Sequence, residues 1–214
     1  MKGIFITGTD TNVGKTYVAC KIAAALKKQN INVIPRKPVE SGCQLIDGEL
    51  IPDDALKLQL ASQSNETLNT ICPYRFQQAI SPARAARLNN QKISIEQLIR
   101  TCITQTNSND FLLVEGAGGI YSPICENALN ADLAKKINLP LLLIAEDKIG
   151  CINQVLLCLQ AAQHQKLEIK TIVLNDISNS NQINNAEELA LFTQIPIFRF
   201  NAGCSTNELI SCIL

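Results

Sequence analysis

Tryptophan is absent, histidine occurs once, and aromatic residues make up only 4% of the 214 residues. The core must therefore be aliphatic. With His164 as the one histidine and no Cys-x-x-Cys pair, the chain lacks the ligand set of a zinc cluster. His164 is followed by Gln165-Lys166 late in a helical pattern, which suits a surface or helix end rather than catalysis. Excess charge is missing too: Lys+Arg and Asp+Glu both number 19. Without a basic stripe or a polybasic segment, neither nucleic acid nor a membrane is an expected partner, and any anion must be held by a focused site. No apolar run is long enough to span a bilayer, and the start Met1-Lys2-Gly3-Ile4-Phe5-Ile6 is too short for a signal peptide.

Cysteine is abundant by contrast. The nine cysteines are odd in number and scattered, which predicts a reducing cytoplasm and mostly buried free thiols. Hydrophobic residues reach 46%, enough for a sizeable core, and no linker or repeat divides the chain. The expectation is one domain over residues 1–214.

Strand and helix patterns alternate along it. Strands are expected at residues 2–7, 32–36, 111–115, 139–145, 170–174 and 195–200. Helices are expected at 15–29, 54–61, 81–88, 94–106, 128–137, 152–165, 186–193 and 206–213. Residues 38–52 read as a polar loop, and the Asn/Ser-rich run 178–185 as a surface loop. Continuous apolar strands separated by helices imply an α/β fold: a doubly wound, mostly parallel sheet with helices on both faces.

Between the first strand and the first helix lies Gly8-Thr9-Asp10-Thr11-Asn12-Val13-Gly14-Lys15-Thr16. Turn N–H groups and a helix N-terminus make a concave anion site, the setting of a phosphate-binding loop. Lys15 adds a point charge for the outer phosphates, and the Thr16 hydroxyl suits magnesium. Thr9 stands where the general motif has glycine.

Glu115 ends an apolar strand at the carboxyl edge, where parallel sheets bind ligands. Gly116-Ala117-Gly118-Gly119 follows it and permits close backbone approach. Asp53-Asp54 precede a helix; one can cap it, leaving the other for a metal. Arg36 and Lys37 close the second strand between Pro35 and Pro38 and point to opposite faces. One of them could aim a fixed cation at the site. The pattern alone does not choose which, and a solvated pair is the simpler alternative.

Together these residues resemble the dethiobiotin synthetase family. The resemblance is carried by the phosphate loop from Thr7 to Thr16 and by Lys37-Pro38-Val39-Glu40-Ser41-Gly42. It continues through Asp53-Asp54-Ala55-Leu56, Pro73-Tyr74-Arg75-Phe76, Ser81-Pro82, Val114-Glu115-Gly116-Ala117-Gly118-Gly119, Gly150-Cys151-Ile152-Asn153 and Asn175-Asp176. Order and spacing match over residues 1–176; the last forty match poorly.

The resemblance implies a homodimeric P-loop ligase. It would form the ureido ring of dethiobiotin from 7,8-diaminopelargonic acid, CO2 and MgATP, through a carbamate and a carbamic-phosphoric anhydride. By position, Lys37 resembles the catalytic lysine, with Lys15 beside it. Thr16, Asp54 and Glu115 resemble magnesium ligands. Asn12, Val13, Gly14, Lys15, Thr16, Glu115, Gly116, Ala117, Gly118, Asn175 and Asp176 resemble the nucleotide-binding set, Asn175 reading the base. Thr11 and Ser41 resemble substrate contacts. Gly150, Cys151 and Asn153 resemble the helix start that receives the substrate carboxylate from the partner subunit.

Two departures stand out. Asn12 replaces a glutamate common in the family. The usual Pro-containing base loop is not evident in Arg199-Phe200-Asn201-Ala202-Gly203-Cys204. Two rivals share the loop. A partitioning-type switch ATPase needs a second lysine early in it, where this chain has Asp10. A cobyrinate-amidating ligase needs a glutamine-hydrolysing domain, for which the chain has no room.

Overall fold

A computed structural model describes residues 2–176, 184–201 and 206–214. The chain opens with β1 (Lys2–Gly8), α1 (Lys15–Lys28) and β2 (Val33–Arg36). Small elements follow: β3 (Val39–Ser41), β4 (Gln44–Ile46), β5 (Glu49–Ile51), α2 (Asp53–Ser62), α3 (Leu68–Ile71) and β6 (Tyr74–Phe76). Next come α4 (Pro82–Leu88), α5 (Ile95–Ile103), β7 (Phe111–Gly119), β8 (Pro123–Cys125), β9 (Ala128–Leu129) and α6 (Asn130–Ile137). The last part holds β10 (Leu141–Glu146), α7 (Cys151–Gln165), β11 (Ile169–Asn175), α8 (Asn185–Leu189), β12 (Ile197–Phe200) and α9 (Asn207–Ile213).

Six strands form one sheet in the order β12-β11-β10-β1-β7-β2, and every neighbouring pair is parallel. From β1 the chain crosses to the edge strand β2, returns to β7, and then fills the other side with β10, β11 and β12. Ligands bind at such a reversal, outside the carboxyl ends of the strands. The strands are mainly apolar because both faces are covered. On one face Ile4 and Ile6 pack against Val18, Ile22 and Leu26 of α1 and Leu209, Ile210 and Ile213 of α9. On the other, Phe5, Leu112 and Leu143 pack against α4 to α7. Each fully buried Ile or Leu contributes roughly 1.5–3 kcal/mol, so α1 is fixed by burial rather than by a side-chain cap, which it lacks.

The structure corrects several boundaries. Residues 38–52 are not a loop: β3 pairs with β6, and β4 with β5 as a hairpin. Asp47 and Gly48 both have positive φ, 50° and 84°, the demand of a tight hairpin turn that Asp-Gly meets. The flanking residues are largely exposed, so no alternating apolar pattern announced the strands. Ala128 and Leu129 form β9, and the helix starts at Asn130. The strand expected at 111–115 runs on to Gly119, while α8 is shorter than expected. Part of the expected loop at 178–185, and residues 202–204 of the divergent base loop, lie outside the described residues. Of the cysteines described, six are buried, Cys20 and Cys212 are half-buried, and all eight are free thiols.

Candidate functional site

The phosphate loop joins β1 to α1. Asn12 and Gly14 both sit at positive φ, 59° and 90°. Gly14 also has a packing reason: a Cβ there would lie 2.0 Å from the Asn175 amide nitrogen. That nitrogen donates to the Val13 carbonyl, 3.1 Å away, so the end of β11 braces the loop. Lys15 is buried, and its ammonium donates to the Asp10 carbonyl at 2.7 Å. Burial, reinforced by the nearby Lys37 cation, lowers its pKa to about 8.

Against the loop lies a charge cluster of buried Lys37 and Glu115 with half-buried Asp54. Lys37 Nζ lies 2.6 Å from Glu115 Oε1 and 2.9 Å from Asp54 Oδ2. The Thr16 hydroxyl donates to the same Glu115 oxygen at 2.9 Å. Three elements converge here: β7 supplies Glu115, the end of β2 supplies Lys37, and the start of α2 supplies Asp54. Burial alone would lower the Lys37 pKa, but the Glu115 and Asp54 carboxylates outweigh it and raise it, so Lys37 stays charged. Burial likewise works against ionised Asp54, yet Lys37 and Thr16 hold its pKa below the usual value. Glu115 is 1% exposed, and its second oxygen accepts no hydrogen bond among the described residues.

Arg36 takes no part. It is fully buried on the other side of β2, paired with Glu66 and bonded to the carbonyls of Pro35, Thr101 and Thr104. The choice left open between Arg36 and Lys37 falls on Lys37, and neither is solvated. Glu115 likewise is no solvated strand end.

The Asp53-Asp54 pair behaves differently from expectation. Neither caps α2: the N-cap is Pro52, and both aspartates lie inside the first turn. Asp53 pairs with Lys57 on the surface, and Asp54 faces Lys37. The capping is done from elsewhere. Glu40 on β3 accepts the backbone N–H of Asp54 at 3.0 Å and of Ala55 at 3.1 Å. Burial pushes its carboxyl up to about 7, and Asp54 adds to the shift against the opposing pull of Lys37. In the sequence Glu40 stands out only as part of a motif. The available signal was Pro52, which has no side-chain oxygen to cap a helix and so calls for a remote acceptor.

These groups line one cleft of about 340 Å³. Thr11, Asn12, Gly14, Lys15 and Thr16 form its loop side. Lys37, Ser41, Asp54, Glu115, Ala117 and Gly118 also line it. Glu40 and Tyr17 line it as well, neither of them singled out from the sequence. Tyr17 packs edge-on against Phe200 of β12, ring centroids 5.9 Å apart. Buried Asn130 shapes the glycine segment: its amide donates to the carbonyls of Ala117 and Gly119.

Other expected residues stand beside the cleft rather than in its lining. Val13 is buried beneath the loop, and Gly116 is packed against Asn130 and Phe5. Asn175 and Asp176 lie at the end of β11; Asp176 is 3.9 Å from Arg199. Gly150 caps α7 with φ 89°, and among the described residues a Cβ there would meet open space beyond its own chain neighbours. Asn153 is exposed, but the Cys151 side chain is buried and its N–H donates to the Lys148 carbonyl. All of these lie at or just beyond the carboxyl ends of parallel strands.

Chemically, the cleft offers turn N–H groups and two ammonium groups for a polyphosphate. It also offers a hydroxyl and two carboxylates, hard oxygen donors suited to a small divalent cation. The unbonded Glu115 oxygen fits that use.

A family model described as an AAA domain matches residues 2–199. The chain is 42% identical over 201 residues to the ATP-dependent dethiobiotin synthetase BioD of Vesicomyosocius okutanii subsp. Calyptogena okutanii (strain HA), covering 94% of this chain and 90% of that protein. It is 40% identical to the protein of the same name from Ruthia magnifica subsp. Calyptogena magnifica, covering 94% and 92%. Among solved structures, the MinC:MinD cell division protein complex of Aquifex aeolicus matches with a TM-score of 0.57 at 14% identity, covering 100% of this chain and 85% of that one. The septum site-determining protein MinD of Pyrococcus horikoshii OT3, complexed with Mg-ADP, matches with a TM-score of 0.53 at 16% identity, covering 92% and 79%. At such identities these two carry the fold alone, a P-loop α/β sheet.

Proposed function

Because the chain belongs to the ATP-dependent dethiobiotin synthetase family, we propose that its cleft closes the ureido ring of dethiobiotin from 7,8-diaminopelargonic acid, CO2 and ATP. One substrate amine adds to CO2 and loses a proton, giving a carbamate. A carbamate oxygen attacks the γ-phosphorus and ADP leaves, giving a carbamic-phosphoric anhydride. The second amine attacks the carbonyl carbon, the bond to the phosphate oxygen breaks, and phosphate departs as the ring closes. The last step is intramolecular and needs position more than acid–base help.

The observation that carries this reading is that Lys15 and Lys37 line the same cleft, close enough for the Lys37 charge to lower the Lys15 pKa. A carbamate and a triphosphate repel each other, and fixed cations between them offset that repulsion where charge develops. Lys37 is the catalytic lysine, and Lys15 holds the outer phosphates. The loop from Asn12 to Thr16, residues 115–118 and the Asn175-Asp176 pair bind the nucleotide, and Thr11 and Ser41 contact the substrate. Thr16, Asp54 and Glu115 would hold magnesium, which when bound supplies further positive charge at the phosphate oxygens. The whole chain works as one domain in the cytoplasm.

The enzyme acts as a homodimer in which Gly150, Cys151 and Asn153 of one subunit meet the substrate carboxylate in the other. The N-terminus of α1 is already committed to phosphates, and a long substrate with amines at one end needs a second anion site at the other. Mixing inactive Lys37→Ala subunits with subunits disrupted at 151–153 should restore up to one working site per heterodimer. If subunits exchange and activity never returns, the site lies within one chain.

The direct test supplies diaminopelargonate, bicarbonate and MgATP and looks for dethiobiotin by mass. ATP consumption should require both co-substrates. Diamine-independent hydrolysis without dethiobiotin would replace this reading by a switch ATPase.

A further inference from the structure

We propose that Glu40 is a positioning residue that clamps the first turn of α2 and so holds Asp54 toward Lys37 and Glu115. The inference rests on the reading of Asp54 as a metal ligand given above.

A helix start leaves four backbone N–H groups without partners inside the helix. In α2 the N-cap is Pro52, which offers no side-chain acceptor. Asp53, the next residue, is turned to solvent with Lys57. The N–H groups of Asp54 and Ala55 are served instead by the two oxygens of one carboxylate, Glu40 Oε1 and Oε2. This two-point contact fixes both the height and the rotation of the turn. When ionised, it also places a negative group at the positive end of the helix dipole.

The clamp itself is rigid. Glu40 is 5% exposed and lies on β3, with its backbone in register opposite Arg75 of β6. The Cys43 thiol donates to its carbonyl. Asp54 by contrast has a side chain 35% exposed, and Lys37 lies 2.9 Å away. With the turn released, water competes for that carboxylate. Glu40 borders the cleft as well, so the test must separate a clamp from a direct ligand contact.

A second-site rescue does so. In Pro52→Ser the serine oxygen can accept from one of the same two N–H groups, as N-cap serines do. It lies on α2 and has no reason to replace a contact between Glu40 and substrate. Manganese(II) serves as the probe, bound with a non-hydrolysable ATP analogue and followed by its electron paramagnetic resonance signal. Turnover, KM for MgATP and melting temperature are measured alongside.

Glu40→Ala should weaken manganese binding about 10-fold, from two lost charge-assisted contacts, and lower kcat more than it raises KM. Glu40→Gln, which keeps one acceptor, should fall between. Glu40→Ala/Pro52→Ser should recover part of the manganese affinity and turnover. Unchanged manganese affinity in Glu40→Ala overturns the proposal. So does a double variant that regains its melting temperature while affinity and turnover stay low, because Glu40 then acts on the ligand itself. If Glu40→Ala does not fold, Glu40→Gln with and without Pro52→Ser gives the same comparison. A wild-type protein that binds manganese and nucleotide but forms no dethiobiotin would refute the proposed reaction, while the manganese comparison would still decide the clamp.

Discussion

Arg36 and Lys37 are neighbours in the chain, both cations, both almost completely buried, and they do opposite things. Every N–H of the Arg36 guanidinium has a protein acceptor: Glu66 takes two, and the carbonyls of Pro35, Thr101 and Thr104 take the rest. It ties β2 to α5 and to the segment before α3, and it has no donor left for a ligand. Lys37 faces two carboxylates at the edge of a cleft. A lone ammonium on a flexible stem can exchange partners; a fully bonded planar fork cannot do so without loss. The difference teaches that burial of a charge does not mark a functional residue. What marks it is where its partners lie and whether a ligand can reach them.

The largest expected effect is structural. Arg36→Met should cost about 3–5 kcal/mol of stability, because it leaves Glu66 and three carbonyls without their partner. Urea denaturation reads this directly, and folded Arg36→Met should keep most of its turnover per molecule. A variant of normal stability and lost activity would erase the contrast with Lys37. Next, Lys37→Ala should lower turnover roughly 100- to 1,000-fold while nucleotide still binds, as for loss of one preorganised charge contact. Lys15→Ala should damage binding as well. Near-normal turnover in Lys37→Ala would remove it from the mechanism.

Asp54→Asn weakens the partner of Lys37 rather than Lys37 itself. The magnesium concentration for half-maximal activity should rise roughly 10- to 100-fold, in line with one charge-assisted contact. Asp53→Asn should do least. Its pair with Lys57 is exposed on both sides, so stability should change by less than about 1 kcal/mol and the magnesium requirement should stay put. Should Asp53→Asn shift the magnesium requirement and Asp54→Asn leave it alone, the two roles are reversed.

Much of this was legible in advance. Apolar strands, helical spacing and Gly-Lys-Thr at a strand–helix junction describe local chemistry, and local chemistry is written in consecutive residues. The short pairs β3–β6 and β4–β5 were not legible. Their residues are few, β4 and β5 are largely exposed and do not alternate apolar with polar, and β3 meets β6 only after more than thirty intervening residues. Asp47-Gly48 is a turn signal, but flanks without apolar alternation do not distinguish a hairpin from a loop.

By itself the sequence determined the sheet type and the phosphate loop with its lysine, because hydrophobic period and loop spacing act over a few residues. It offered Glu115 and the pairs Arg36–Lys37 and Asp53–Asp54 as candidates, and the family resemblance pointed to Lys37 and Asp54 within them. Only the tertiary structure decided that Arg36 is a strut and Lys37 faces the cleft, since alternation along β2 puts them on opposite faces without naming either face. Only it showed that α2 borrows its cap from Glu40, twelve residues before Pro52. An unbonded helix start accepts any suitably placed oxygen, and which oxygen arrives depends on how β3, β6 and α2 pack together rather than on anything adjacent in the chain.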